Sequence, residues 1–142
     1  MATARDLMHE GVECIKESET LDAAARKMRD LHVGALPICG ADDRLHGIIT
    51  DRDIVVHCIA EGSDPKQTTA GQLAKGTPVW VDAQADEREV LRLMEINAIR
   101  RLPVMQDHRL VGMISEADLA RNLYQAEVAE FAGAVYSAPP NN

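Results

Sequence analysis

Gly47-Ile48-Ile49-Thr50-Asp51-Arg52-Asp53 returns 65 residues later as Gly112-Met113-Ile114-Ser115-Glu116-Ala117-Asp118. Each stretch runs from a glycine through two apolar residues to a hydroxyl residue, with a carboxylate three positions beyond. The apolar pair reads as the end of a strand. The hydroxyl and the acid read as the start of a helix: Ser/Thr-x-x-acid is a variant of the capping box, and the helix dipole favours an acid there. A strand feeding straight into a helix, twice at a fixed interval, marks the chain as a tandem repeat.

Working outward, the match continues at a shift of 66. Thr3-Ala4-Arg5-Asp6-Leu7 returns as Thr69-Ala70-Gly71-Gln72-Leu73, Cys14-Ile15 as Trp80-Val81, Met28 as Met94, and Leu36-Pro37-Ile38 as Leu102-Pro103-Val104. The single lost residue lies between Ile38 and Arg44, in a Gly/Asp-rich turn that tolerates a change of length. Each unit reads βαββα. In the first, Val12–Ile15 is a short β-prone run. Leu21, Ala24, Ala25 and Met28 then form the i, i+3, i+4, i+7 stripe of an amphipathic helix, with Thr20 as its N-cap. Ala35–Cys39 and Leu45–Ile49 flank a turn at 40–43 and read as a hairpin. Asp51–Ala60 reads as a closing helix, ended by Gly62 with Pro65 beyond. The second unit repeats the scheme at Val79–Val81, Asp86–Asn97, Leu102–Met105, Leu110–Ile114 and Glu116–Tyr124.

The expected organisation is a first repeat over 1–66, with a linker from Gly62 to Thr68, and a second repeat over 67–124. Residues 125–142 form a helix carrying Val128, Phe131 and Val135, then a frayed tail from Ala138 to Asn142. The class is α/β (α+β): two tandem βαββα units packed as a pseudo-two-fold pair. One such unit alone buries too little surface to be secure, so the two are expected to share a core.

Composition narrows the function. Of 142 residues 46% are hydrophobic and 27% charged, as in an ordinary globular protein. The net charge of −8 repels a phosphate backbone, no basic stripe is present, and the only aromatics are Trp80, Tyr124, Phe131 and Tyr136. Nucleic-acid binding is therefore not expected. No apolar run approaches the ~20 residues of a membrane span. Arg5, Asp6, His9 and Glu10 leave no signal-peptide core, so a cytoplasmic location is the default. No nucleophile elbow, Walker loop or G-x-G-x-x-G is present, and the chain does not read as an enzyme.

The two signatures have a second reading beyond capping. A hydroxyl at a strand–helix junction can donate to a phosphate oxygen, and a carboxylate one turn in can accept from two neighbouring ribose hydroxyls. Each repeat also carries Leu-Pro (Ala35-Leu36-Pro37, Arg101-Leu102-Pro103). Proline cannot donate to a sheet ladder and marks a strand start, an edge or a bulge. Backbone left free there can hydrogen-bond an adenine ring.

Gly47–Asp53 and Gly112–Asp118 resemble the G-h-h-[ST]-x-x-D signature of CBS domains, and Met28–Ile38 is similar to that family's helix-to-strand run. The resemblance spans about residues 3 to 124, twice over and in order. It implies a tight pair of CBS units that often dimerises, here a homodimer signalling to an unidentified effector protein. It also implies clefts for adenosyl ligands: AMP, ADP, ATP or S-adenosylmethionine, none of them obligatory. Asp53 and Asp118 would hold ribose, Thr50 and Ser115 phosphate, and Ala35, Leu36, Pro37 with Arg101, Leu102, Pro103 the base. Arg100 or Arg101 would add a cation for phosphate; the matching Gly34 and Ala35 supply none. The expected role is a stand-alone regulatory module sensing an adenosyl nucleotide in a stress or energy response. The competing expectation is a nucleotide-independent structural dimer carrying a Cys14–Cys39 disulfide.

In the family's sheet the first two strands of a unit run side by side, which makes Cys14 and Cys39 neighbours. Two readings stand: buried free thiols acting as small apolar residues, or a disulfide. Cys58 is left over, expected on a helix at an interface. The three cysteines lack C-x-x-C spacing, and His9, His32, His46, His57 and His108 lack zinc-site spacing. They read as surface or turn residues, and no metal is expected within the chain.

Overall fold

The stripe on the first long helix explains where it goes. Leu21, Ala24 and Met28 are buried along one face of α2 (Leu21–Leu31), and Val90 and Met94 are buried on its counterpart α5 (Glu87–Asn97). Each helix covers a three-stranded sheet. The first sheet has the order β1 (Ile15–Lys16), β2 (Ala35–Cys39), β3 (Leu45–Thr50); the second, β4 (Val81–Asp82), β5 (Arg101–Gln106), β6 (Arg109–Ser115). The outer pairs β1/β2 and β4/β5 are parallel and the hairpins antiparallel. The structure, a computed structural model, describes residues 2–42, 44–74, 78–123 and 125–137. Asp43 of the expected turn, Tyr124 and the expected tail from Ala138 lie outside the described residues.

The β-prone run at Val12–Ile15 is shorter and later than its composition indicates, because β1 pairs only Ile15 with Ile38 and Lys16 with Cys39. Pro37 and Pro103 mark neither an edge nor a strand start. Each sits inside a middle strand, opposite Ile48 or Met113, with a register shift just beyond at Ile38/Cys39 or Val104/Met105. The two-residue β1 and β4 stop short of these prolines, so no ladder donor is missed.

The helix ends are set by details the pattern leaves open. Thr20 precedes α2, but its hydroxyl makes no cap; it donates to the Asp22 carboxylate instead. The first amides of α2 are taken by linker carbonyls, Leu21 N–H by Thr68 O at 2.9 Å and Asp22 N–H by Pro65 O at 3.1 Å. α2 and α5 both end on a left-handed residue that is not glycine, His32 at φ 57° and Ala98 at φ 51°. The expected single helix over Asp51–Ala60 divides into α3 (Asp51–Ile54) and a π-turn over Val55–Ile59. Gly62, at φ 78°, closes it with Ser63 N–H on Cys58 O at 3.0 Å, the left-handed stop that glycine supplies.

Two short helices are exchanged between repeats. α1 (Ala4–Leu7) opens the chain, yet Ala4 N–H bonds Ala85 O at 2.7 Å and Arg5 N–H bonds Ala83 O at 3.0 Å. α4 (Ala70–Leu73) opens the second repeat, yet Ala70 N–H bonds Glu19 O at 2.8 Å and Gly71 N–H bonds Glu17 O at 2.9 Å. Two compact units result, one over Glu13–Pro78 and one of Met1–Val12 with Val79–Asn142. The first encloses Ile15, Leu21, Ala24, Leu36, Ile38, Ile49, Cys58 and Ala70. The second encloses Leu7, Val90, Met94, Leu102, Val104, Ile114 and Leu119, together with Phe131 and Val135 of α7 (Gln125–Tyr136). Cys58 thus belongs to a core, fully buried, rather than to an interface. Val128 is spanned by α7.

Candidate functional site

Both signatures fold as their hydroxyl–acid spacing dictates, into complete capping boxes. In the Glu13–Pro78 unit, Thr50 N–H donates to Asp53 Oδ2 at 2.9 Å, and Asp53 N–H donates to Thr50 Oγ1 at 3.0 Å. The sheet register sets Ala35 opposite Thr50, Leu36 opposite Ile49 and Pro37 opposite Ile48, and Asp51 N–H reaches Gly34 O at 3.0 Å. The residues predicted to touch ribose, phosphate and base are therefore gathered at one corner, where β2 begins and β3 ends. Asp53 is half-buried. Among the described residues its carboxylate receives only the Thr50 amide.

The corresponding corner of the other unit is built alike and then filled. Arg101 pairs with Ser115, Leu102 with Ile114 and Pro103 with Met113. Helix α6 (Glu116–Asn122) starts from Ser115, whose amide and hydroxyl donate to Asp118 Oδ2 at 2.8 and 2.9 Å. His9 Nδ1 meets the same oxygen at 2.7 Å, and Arg121 holds Oδ1. Asp118 is 2% exposed and is the single buried charged residue among those described. Burial pushes its carboxyl upward, but the bonds from the Ser115 amide, His9 and the Ser115 hydroxyl outweigh this and hold it below its ordinary value. Arg100 lies over the Tyr136 ring, its guanidinium carbon 4.5 Å from the ring centroid, and the Tyr136 hydroxyl donates to Glu116.

The signature glycines have a steric role. A Cβ on Gly112 would lie 2.8 Å from His9 O and overlap the Met8 side chain; one on Gly47 would meet Ala74 Cβ at 3.3 Å. The glycine leaves room for the segment that follows the exchanged helix. In the first of these places, His9 and Met113 exchange backbone bonds at 2.9 and 3.1 Å.

His9, Arg121, Glu116 and Tyr136 complete this corner and were not among the predicted site residues. His9 read as a plain surface or turn residue; it is half-exposed but bound to Asp118. Its one sequence signal is the repeat: at the shift of 66 it matches Lys75, which lies outside the described residues. Tyr136 falls beyond the repeat and carries no such signal. Cys14 and Cys39 are joined as a disulfide with Cα atoms 5.8 Å apart, and Lys27 Nζ donates to Cys14 O at 3.1 Å. A surface groove lined by Glu13, Ala23, Arg26, Lys27, Asp30 and Leu31 contains no residue of either signature.

Two three-stranded sheets, each with a Gly-h-h-Ser/Thr-x-x-Asp corner, define a CBS pair. The CBS-domain family model matches residues 4–59 and 70–125, and the chain belongs to that family. It is 53% identical over 137 residues to Hypoxic response protein 1 of Mycobacterium tuberculosis, covering 96% of each chain. A solved structure of Hypoxic Response Protein I with two coordinated zinc ions superposes with a TM-score of 0.79 at 55% identity, over 87% of this chain and all of that one. The hexameric CBS-CP12 protein of bloom-forming cyanobacteria is also similar, with a TM-score of 0.76 and 30% identity over 86% of this chain and 71% of that one. CBS-domain proteins are generally regulatory rather than catalytic. No helix among the described residues is long and apolar enough to cross a membrane.

Proposed function

We propose that this CBS pair is a regulatory, non-catalytic cytoplasmic module that senses an adenosyl nucleotide (AMP, ADP, ATP or S-adenosylmethionine) in a stress or energy response. The observation that carries the reading is the Thr50–Asp53 corner. There a half-buried carboxylate keeps acceptor capacity beside a hydroxyl and the first residues of β2, Ala35-Leu36-Pro37. Asp53 takes the ribose hydroxyls, Thr50 a phosphate oxygen, and the backbone of Ala35–Pro37 the adenine edge. At the other corner Asp118, Ser115, Arg101, Leu102 and Pro103 supply the same groups, with Arg100 as the cation. The module acts as a homodimer on an effector protein. A nucleotide favours whichever conformation it binds more tightly, and the partner reads that population. The hypoxic-response relative supports the stress setting, and the hexameric CBS-CP12 relative supports assembly through CBS units.

The described residues of one chain do not by themselves assemble a zinc site. Among them no three His, Cys, Asp or Glu side chains gather to hold a metal, so no step is routed through the ion that the Hypoxic Response Protein I structure contains.

A second reading is a nucleotide-independent dimer set by the Cys14–Cys39 disulfide; that bond and the four donors already on Asp118 favour it. A thermal-shift screen with AMP, ADP, ATP and S-adenosylmethionine, with and without reductant, separates the two. A ligand at 100 times its Kd stabilises by about 2.7 kcal/mol. The nucleotide reading expects a shift with at least one compound, lost in Asp53→Ala. No shift with any compound, alongside a large effect of reductant, overturns it in favour of the second.

A further inference from the structure

The two corners differ in what already occupies them. The Asp118 carboxylate receives four donors: the Ser115 amide, the Ser115 hydroxyl and His9 on Oδ2, and Arg121 on Oδ1. An ionised carboxylate has about four acceptor positions, two on each oxygen, so Oδ2 is saturated and Oδ1 keeps one, too few for both hydroxyls of a ribose diol unless a donor leaves. Arg100, the cation for phosphate, is stacked on Tyr136, and the Tyr136 hydroxyl holds Glu116 of the same signature. His9 and Tyr136 come from the two ends of the chain and converge on the same corner.

We propose that His9 and Tyr136 are intramolecular occupants of the second-repeat site, which a nucleotide must displace, so that the Thr50–Asp53 site fills first and the Ser115–Asp118 site responds only at higher ligand concentration. The inference rests on the nucleotide reading and assigns each site its own threshold. Both occupants are built to move. The His9 side chain is 44% exposed, and Tyr136, at the last position of α7, is 55% exposed. Phe131 and Val135, each 2% exposed, anchor the helix independently of Tyr136. Displacement is therefore a change of side-chain rotamer, not an unfolding of α7. The Tyr136 part of the asymmetry originates outside the repeat: α7 follows the second unit, while the segment after the first unit's closing helix turns back to cap α2 instead.

The test is calorimetric titration of the full chain with AMP, ADP, ATP and S-adenosylmethionine in turn, on wild type, Asp53→Ala, His9→Ala and Tyr136→Ala. Wild type is expected to show one tighter site, lost in Asp53→Ala, and one weaker site. His9→Ala and Tyr136→Ala each strengthen the weaker site by about tenfold, the weight of one bond to a charged group, and leave the tighter one unchanged. Tyr136→Phe keeps the ring on Arg100 but drops the bond to Glu116; it gives part of the gain and stands in if Tyr136→Ala does not fold. Two equal sites in wild type, or unchanged constants in all three occupant variants, overturn this inference and leave the nucleotide reading intact. No binding to any form, the His9→Ala/Tyr136→Ala double variant included, overturns both.

Discussion

Replacing Gly112 by alanine tests the account of why the signature opens with glycine. A Cβ there would stand 2.8 Å from His9 O and 2.9 Å from Met8 Cγ, so the chain segment carrying both residues must move away from β6. Two backbone bonds between His9 and Met113, at 2.9 and 3.1 Å, hold that segment, and the 2.7 Å contact of His9 with Asp118 depends on the same placement. Losing two such bonds costs about 2 kcal/mol, and overpacking adds about 1 kcal/mol or more. Against this, Gly→Ala favours folding by ~0.4–1 kcal/mol through the unfolded chain. The expected net loss is about 2–3 kcal/mol. Gly47→Ala is the internal control. Its Cβ meets only Ala74 Cβ at 3.3 Å, with the next atoms at 3.7 and 3.8 Å, so a small adjustment suffices and the loss stays under about 1 kcal/mol. Urea unfolding of the two variants beside wild type gives the comparison directly. If Gly112→Ala is no less stable than Gly47→Ala, the steric argument fails.

Three further outcomes follow from other parts of the molecule. The Asp118 carboxyl is held below its ordinary value of 3.8, so its stabilising contribution is complete above that pH and is lost as pH falls through the folded-state value; Asp118→Asn should be less stable by about 2 kcal/mol at neutral pH, with the gap closing below pH ~4, and a gap independent of pH would contradict the assignment. Ala98 ends α5 at φ 51°, where an L side chain is strained, so Ala98→Gly should gain up to about 1 kcal/mol in urea unfolding; a loss would mean that its methyl packing matters more. The Cys14–Cys39 link spans 25 positions of chain, and reductant should cost about 3 kcal/mol in wild type and in Cys58→Ser but nothing in Cys14→Ser; equal sensitivity of Cys14→Ser would point to another thiol.

Much of this protein is legible along the chain because its strongest signals are short-ranged. The amphipathic stripe of Leu21, Ala24, Ala25 and Met28 (of which Ala25 is exposed), the hairpins around their turns and the Thr50–Asp53 and Ser115–Asp118 boxes each lie within one short stretch of chain. Their structural counterparts agree to within a residue or two. Thr20 stands at the N-cap as expected but without the side-chain bond, and of the start, edge or bulge offered for Pro37 the structure has a register shift one residue beyond it. What failed was the choice of partner, because an N-terminal amide is equally well served by a hydroxyl or by a carbonyl brought from the linker.

The sequence by itself determined the repeat, the family and the pair of corners, since these rest on a periodic apolar pattern and on cap chemistry that any compact fold must respect. The tertiary structure alone decided that α1 and α4 are exchanged between repeats, and that the two corners are unequal. His9 lies 109 positions from Asp118, and Tyr136 lies 20 positions from Glu116. Neither pairing has a periodicity, because a contact of that reach is selected by how the whole chain closes on its cores and not by any window of residues.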